Sequence, residues 1–185
     1  MFFRLIYKKK LEKLKSQKEE LYHEIRKLKS EKIELKEIIL FEQKRFKRIV
    51  FLLNNRVHKN TKCLIQTTNK GINVLTAINK NECEIEVFDI DNIEYNSNRK
   101  LVLWAQNRGD EYFIKDIQGG DGKGHGEIAM NHLIELAKKE SMEKIIGEIS
   151  SVDFGHIDRL RAFYKKMGFE VDIRPSRNGT IIRKL

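Results

Sequence analysis

Six residues, Asp121-Gly122-Lys123-Gly124-His125-Gly126, form a glycine-rich turn. They follow an apolar, strand-like run, Glu111–Ile117, and precede a segment in which Met130, Leu133, Ile134 and Ala137 recur at helical spacing. Strand, bare-backbone turn and helix N-terminus together make a cradle for an anion. Glycine lets backbone N–H groups approach with no Cβ in the way, and the first amides of a helix are unpaired and carry the positive end of its dipole. The ligand class this implies is a phosphate. Spacing removes two kinds. A P-loop requires G-x-x-x-x-G-K-[S/T]; Ile117 stands where the first glycine must be, and Gly124 replaces the Ser or Thr. A dinucleotide fingerprint requires G-x-G-x-x-G at the start of a βαβ unit; its third glycine would fall on Glu127, and about a hundred residues precede the strand.

The elements that must position this turn are legible from period and punctuation. Short β-rich runs at Lys62–Thr67, Gly71–Ile78, Cys83–Ile90, Lys100–Ala105 and Glu111–Ile117 are separated by turn-formers at Asn69-Lys70-Gly71, Asn79-Lys80-Asn81, Asn96-Ser97-Asn98 and Asn107-Arg108-Gly109-Asp110. Cys83, Ile85 and Val87 alternate with Glu84 and Glu86, as in a half-exposed strand. Such spacings suit antiparallel hairpins. Beyond the turn the pattern predicts a helix over Gly126–Glu140, a strand over Lys144–Ser150, a helix over His156–Met167, and strands near Glu170–Ile173 and Thr180–Arg183. Ile157, Leu160, Phe163, Tyr164 and Met167 form one stripe on the last helix. The fold class expected is α/β: a mixed, mostly antiparallel sheet with flanking helices.

The turn resembles the loop [Q/R]-x-x-G-x-[G/A] of the GNAT superfamily of acyl-CoA-dependent N-acyltransferases. Ile145-Ile146-Gly147-Glu148-Ile149-Ser150 looks like that family's fifth strand, and Asp158–Phe169 looks like the following helix with its Tyr-x-x-x-Gly-Phe ending, here Tyr164, Gly168 and Phe169. The resemblance covers residues 100–185 well and 61–100 loosely. It implies acetyl-CoA as co-substrate, with its pyrophosphate on the backbone of Gly122, Lys123, Gly124, His125, Gly126 and Glu127. It implies an acyl thioester in a splay between the fourth and fifth strands, its carbonyl polarised by a backbone N–H near Ile117, in the manner of an oxyanion hole. The acceptor amine attacks directly, and Tyr164 protonates the departing thiolate as general acid. Glu148 is the base candidate, with Asp116, Asp153 and His156 as others. Two departures stand out. Asp121 occupies the position usually held by Gln or Arg, where a carboxylate repels pyrophosphate; Gln118 is a second candidate for that contact. The helices that usually follow the first strand are missing.

The first third of the chain is different. Residues 1–60 carry eighteen Lys and Arg against eight acidic residues, whereas residues 61–185 are balanced, so the net charge of +10 belongs to the N-terminal segment. Leu14, Leu21, Leu28 and Leu35 recur every seven residues; with these as d, the a positions are Leu11, Lys18, Ile25, Lys32, Ile39, Phe46 and Leu53. Leu at d with Ile and Lys at a is the pattern of a parallel two-stranded coiled coil. Glu24 and Glu31 at g oppose Lys29 and Lys36 at e of a partner. The expected organisation is a basic coiled-coil helix over 1–57, making a homodimer, and a GNAT-like domain over 61–185. A helix over 11–53 reaches about 65 Å. The broader apolar run Ile38-Ile39-Leu40-Phe41 implies packing on the chain's own domain from about residue 38.

Other functions are bounded more briefly. No apolar run approaches the roughly 18 residues of a membrane span, and Cys63 and Cys83 fit plain thiols of a cytoplasmic protein. The histidines and cysteines show no metal-ligand spacing, so no metal is expected. A basic-zipper protein needs a long basic helix before the zipper; only Arg4 and Lys8–Lys10 precede this one, so nucleic acid is not the favoured partner. The expected activity is acetyl transfer from acetyl-CoA to an amine whose identity the residues leave open. The alternative is a non-catalytic CoA-fold module whose basic arm recruits a protein or nucleic acid.

Overall fold

A computed structural model describes residues 2–56, 61–91, 99–174 and 178–185. The expected turn at Asn96-Ser97-Asn98 and the single proline, Pro175, lie outside them. The chain divides into two compact units, Met1–Phe46 and Lys47–Leu185. Helix α1 (Phe2–Arg56) has no glycine or proline in 55 residues. In the first unit its apolar seam lies open: Leu14, Leu21, Leu28 and Leu35 are each more than half exposed. Within that unit Ile38, Ile39 and Leu40 are equally open. In the second unit, the end of α1 contributes the buried Arg48 and Leu52.

The second unit holds eight strands: β1 (Thr61–Thr67), β2 (Asn73–Asn79), β3 (Glu84–Asp89), β4 (Arg99–Asn107), β5 (Glu111–Gly119), β6 (Lys144–Ile149), β7 (Glu170–Arg174) and β8 (Asn178–Lys184). They make one sheet in the order β1-β2-β3-β4-β5-β6-β8-β7. The expected strands are all present; β2 starts later than expected because Thr68 Oγ1 accepts the N–H groups of Lys70 and Ile72 and holds the preceding turn. Every pairing is antiparallel except β5 with β6, which is joined by the crossover helix α2 (His125–Lys139). Helix α3 (Ile157–Lys166) follows β6 through a 3-10 segment, Ser151–His156. This mixed, mostly antiparallel sheet with helices, behind a long N-terminal helix, is the α/β class expected.

Strand alternation sends side chains to two faces. Val74, Val87, Leu101, Leu103, Ile114 and Ile145 pack with Ala129, Met130, Leu133 and Ala137 of α2 and with Tyr164 and Met167 at α3. On the opposite face Leu75, Ala77, Phe88 and Ile90 pack under Leu52, with Ile49 and Leu53 at its sides. Arg48 Nε donates to the Asp89 carbonyl at 2.9 Å, tying the end of α1 to β3. A turn, not a pair of helices, links β1 to β2; the last turns of α1 cover that face instead. Leu52 is 1% exposed, so Leu52→Ala should cost about 3 kcal/mol, the usual price of a buried Leu-to-Ala cavity. Urea denaturation reads this directly. Unchanged stability would show that the end of α1 is not part of the folded core.

Candidate active site

Four pairs, from Glu111↔Lys144 to Ile114↔Gly147, are all that join β5 to β6. The next residue, Lys115, is a bulge: β4 pairs Ala105 with Ile114 and Trp104 with Asp116, skipping it. A bulge bends its strand and increases local twist. Past it β5 stays with β4, through Leu103↔Ile117 and Leu101↔Gly119, while β6 stays with β8 through Glu148↔Thr180. The two parallel strands therefore part, and β5 amides that would point toward β6 lose their ladder partners.

A cleft of about 610 Å³ opens at this split. Its walls bring together Asp116 and Ile117 of β5, Glu148 and Ile149 of β6, Gly122, Gly124, His125, Gly126 and Glu127 of the turn, Asp153 and His156 of the 3-10 segment, and Tyr164 of α3. Gly124 is the N-cap of α2, at φ +91. A Cβ there would be strained and would also meet Asn69 Oδ1 at 2.5 Å. The first α-helical bond of α2 runs from Ile128 N–H to the Gly124 carbonyl, so the amides of His125, Gly126 and Glu127 carry no intrahelical bond.

The charged side chains around the turn are mutually satisfied. Asp121 meets Lys123 Nζ at 3.3 Å and His125 Nδ1 at 3.1 Å. Partial burial pushes its carboxyl up, but the Lys123 hydrogen bond and the His125 and Lys123 charges outweigh this and hold it below its ordinary range. Glu127 accepts from Asn69 Nδ2 at 2.9 Å and Lys166 Nζ at 2.6 Å. Lys123, a candidate contact, keeps its side chain out of the cleft wall. Gln118 donates to Asp116 Oδ2 at 2.8 Å and so is engaged on its own strand.

Tyr164 is 7% exposed and lies edge-on to Phe163 and Phe169, with centroids 5.2 and 5.6 Å away. Its hydroxyl has no hydrogen-bond partner among the described residues and is not sealed off, so it faces the cleft. Burial, then the charges of Asp153 and Asp116, push the phenol up to about 12. Of the base candidates, Glu148 is exposed and has no partner among the described residues. Asp153 Oδ2 accepts the Ser150 N–H and hydroxyl, both at 3.1 Å. The periodic reading missed that Arg159, Leu160 and Phe163 are also cleft wall. Leu160 and Phe163 belong to the apolar stripe of the last helix, which packs against the core and lines the cleft. A Cβ on Gly126 would lie 3.3 Å from Phe163 Cε2, so α3 reaches the turn itself.

A parallel pair that splays inside an antiparallel sheet, a glycine turn capping the crossover helix, and a tyrosine on the next helix form one arrangement. It is the arrangement that the sequence resemblance to the GNAT superfamily implies. No family model matches the sequence. A relative in Bacillus subtilis (strain 168), the uncharacterized protein YocC, is 34% identical over 91 residues, 49% of this chain and 54% of that protein. This chain thus spans about half the length of the curated relative it matches. Among solved structures, the ribosomal-protein-S18-alanine N-acetyltransferase of Escherichia coli is 17% identical, with a TM-score of 0.40 over 54% of this chain and 64% of that one. A Bacillus subtilis acetyltransferase in complex with CoA is 20% identical, with a TM-score of 0.37 over 62% and 77%. An acetyltransferase of the GNAT family from Staphylococcus aureus is 16% identical, with a TM-score of 0.36 over 78% and 93%. What the cleft can bind follows from its own geometry. Among the described residues no group of three His, Cys, Asp or Glu side chains could hold a metal, and no helix is long and apolar enough to cross a membrane.

The depressed Asp121 carboxyl has a signed consequence. A carboxyl lowered on folding contributes stability that is present above its unfolded value, near 3.8, and is lost as pH falls through the folded value. Asp121→Asn should therefore flatten the acid limb of the stability curve below about pH 4. Thermal melts across pH 2–7 measure it, and superimposable acid limbs for the two proteins would contradict it.

Proposed function

We propose that this chain is an acyl-CoA-dependent N-acyltransferase, moving an acetyl group from acetyl-CoA to an amine. One observation carries the reading: the unpaired amides at the start of α2, the parting of β5 from β6, and the free Tyr164 hydroxyl share a single cleft. The backbone of Gly122–Glu127 holds the pyrophosphate at the positive end of α2. Asp121 does not oppose it, because Lys123 and His125 already answer its charge. A β5 amide near Ile117 polarises the thioester carbonyl from within the split. Glu148, unpartnered at the gap, takes the proton that the amine loses as the N–C bond forms and the C–S bond breaks. Tyr164 supplies the proton to the departing sulfur. With its phenol raised to about 12, Tyr164 stays protonated throughout the range in which the amine is reactive.

The reading predicts that acetyl-CoA at 100 times its dissociation constant adds about 2.7 kcal/mol of stability; no thermal shift would remove the cleft's assigned ligand. Tyr164→Phe should retain that shift while acyl transfer falls about 100-fold, within the range of acid–base catalysis. The wild-type rate should show no loss from tyrosine ionisation below about pH 11. Equal turnover of the two proteins would remove the acid role.

The same proposal takes the arm as a parallel dimerisation helix. The d-position leucines of α1 lie open along the first unit, flanked by Glu24, Lys29, Glu31 and Lys36 in the g-to-e order of a parallel pair. Sedimentation of the full chain should give a dimer, and Leu21→Lys with Leu28→Lys a folded monomer. A wild-type monomer at high concentration would end the zipper reading; salt-dependent DNA retention by the arm would favour a recruiting module in its place.

A further inference from the structure

The two faces of the split differ in charge. Ile117 pairs with Leu103 and Gly119 with Leu101, so these turn toward the α2 face, where Leu101 and Leu103 are core. Asp116 pairs with Trp104 and Gln118 with Val102, so both turn to the opposite face. On β6, Ile145 and Ile149 belong to the α2 face, and Glu148 between them and beyond Gly147 points the other way. Asp116 and Glu148 thus stand on the two lips of the gap, on the face opposite Tyr164. Both line the cleft that reaches its hydroxyl.

These two carboxylates differ from their neighbours. On the same face Arg99 meets Glu86 at 3.3 Å and Glu84 at 4.0 Å, and Trp104 Nε1 donates to Glu84 at 2.9 Å. Asp116 and Glu148 have no cation partner among the described residues. Gln118 orients Asp116 through its 2.8 Å hydrogen bond. Two cations share the cleft wall. Arg159 belongs to α3, one turn before Phe163 on the side of the glycine turn, and Lys115 is the exposed bulge residue. With Asp153 also in the wall, the acceptor end remains net negative. The second, independent pointer to a ligand is Tyr164, more than nine-tenths buried, whose unpartnered hydroxyl is aimed into this opening.

We infer that the acceptor is a dicationic or polycationic amine: one amino group attacks at the Tyr164 end, while a second ammonium of the same molecule is held by Asp116, oriented by Gln118, at the far lip of the split. The inference rests on the acyltransferase reading and narrows its substrate class. The transfer balances as before. The attacking nitrogen forms the N–C bond and gives one proton to Glu148, the C–S bond breaks, and the sulfur receives the Tyr164 proton; the second ammonium is unchanged. A lone amine gains nothing from Asp116, and a zwitterion brings a carboxylate against it.

Full-length protein is first titrated calorimetrically with acetyl-CoA, then assayed for thiol release with putrescine, butylamine and γ-aminobutyrate. Putrescine should exceed butylamine in kcat/KM by about tenfold or more, the worth of one charge-assisted hydrogen bond, with γ-aminobutyrate last. Asp116→Asn should pull the putrescine-to-butylamine ratio toward one by raising the KM for putrescine. Gln118→Ala, which leaves the carboxylate in place but unoriented, should do so in part and serves if the first variant does not fold. If acetyl-CoA binds but neither amine is turned over, calorimetric binding of the two amines to the CoA-loaded protein decides, tighter putrescine supporting the inference. A ratio near one in wild type, or one unmoved by both variants, overturns the dication and leaves the acyltransferase standing. Absence of acetyl-CoA binding overturns both.

Discussion

Beyond Ile114 and Gly147 the chain cannot keep both strands together. Gly147 marks how tightly they fit up to that point: a Cβ there would sit 3.0 Å from Ile181 Cδ1 and 3.3 Å from Ile114 Cβ. The bulge at Lys115 then turns β5 by one extra residue while β4 still holds its far side. The parallel pairing ends because each strand has a stronger commitment elsewhere, β5 to β4 and β6 to β8. Every feature of the cleft depends on that parting. It frees amides of β5, admits α3 to the wall, and gives Asp116 and Glu148 separate lips of one opening.

The problem posed by Asp121 is resolved within the turn itself. A carboxylate at the entrance of an anion cradle is unfavourable only if its charge is unanswered. Here Lys123 and His125 answer it within the turn, so the backbone amides, not the side chains, define what the cradle sees. Charge is thus sorted by position. The turn is neutralised and presents amide dipoles, and the far face of the split keeps carboxylates without counterions. The surplus positive charge of the chain lies within residues 1–60.

Much of this was legible in the residues, for identifiable reasons. Strands β1 to β5 announce themselves by short β-rich runs, alternating at Cys83–Val87, with asparagine and glycine between them, and the turn at 121–126 by its three glycines before a helical pattern. What was not legible depends on pairing between distant segments. The bulge at Lys115 leaves no mark in composition, because it is a mismatch between β4 and β5 and not a property of either. The face taken by Asp116 follows from that bulge: without it, Asp116 would share the face of Ile114. The stripe Leu160, Phe163 and Tyr164 reads as core by spacing alone, and only the split shows it to be wall.

Tyr164 and the carboxylates are electrostatically one system. Burial comes first in holding the phenol proton, and Asp153 and Asp116 add to it. A cation placed against Asp116 offsets part of that addition, because the negative potential felt by a forming phenolate falls when the nearby carboxylate is paired. On the proposed reading, Tyr164 is therefore the weaker proton donor when the acceptor end is empty and the stronger one when a second ammonium fills it. An acyltransferase benefits from that order, since a thioester exposed to water with a ready acid beside it is open to hydrolysis, whereas one whose acid is eased only by the acceptor is protected until the amine arrives. On the proposed reading, Asp116 then couples the binding of the acceptor to the release of the sulfur.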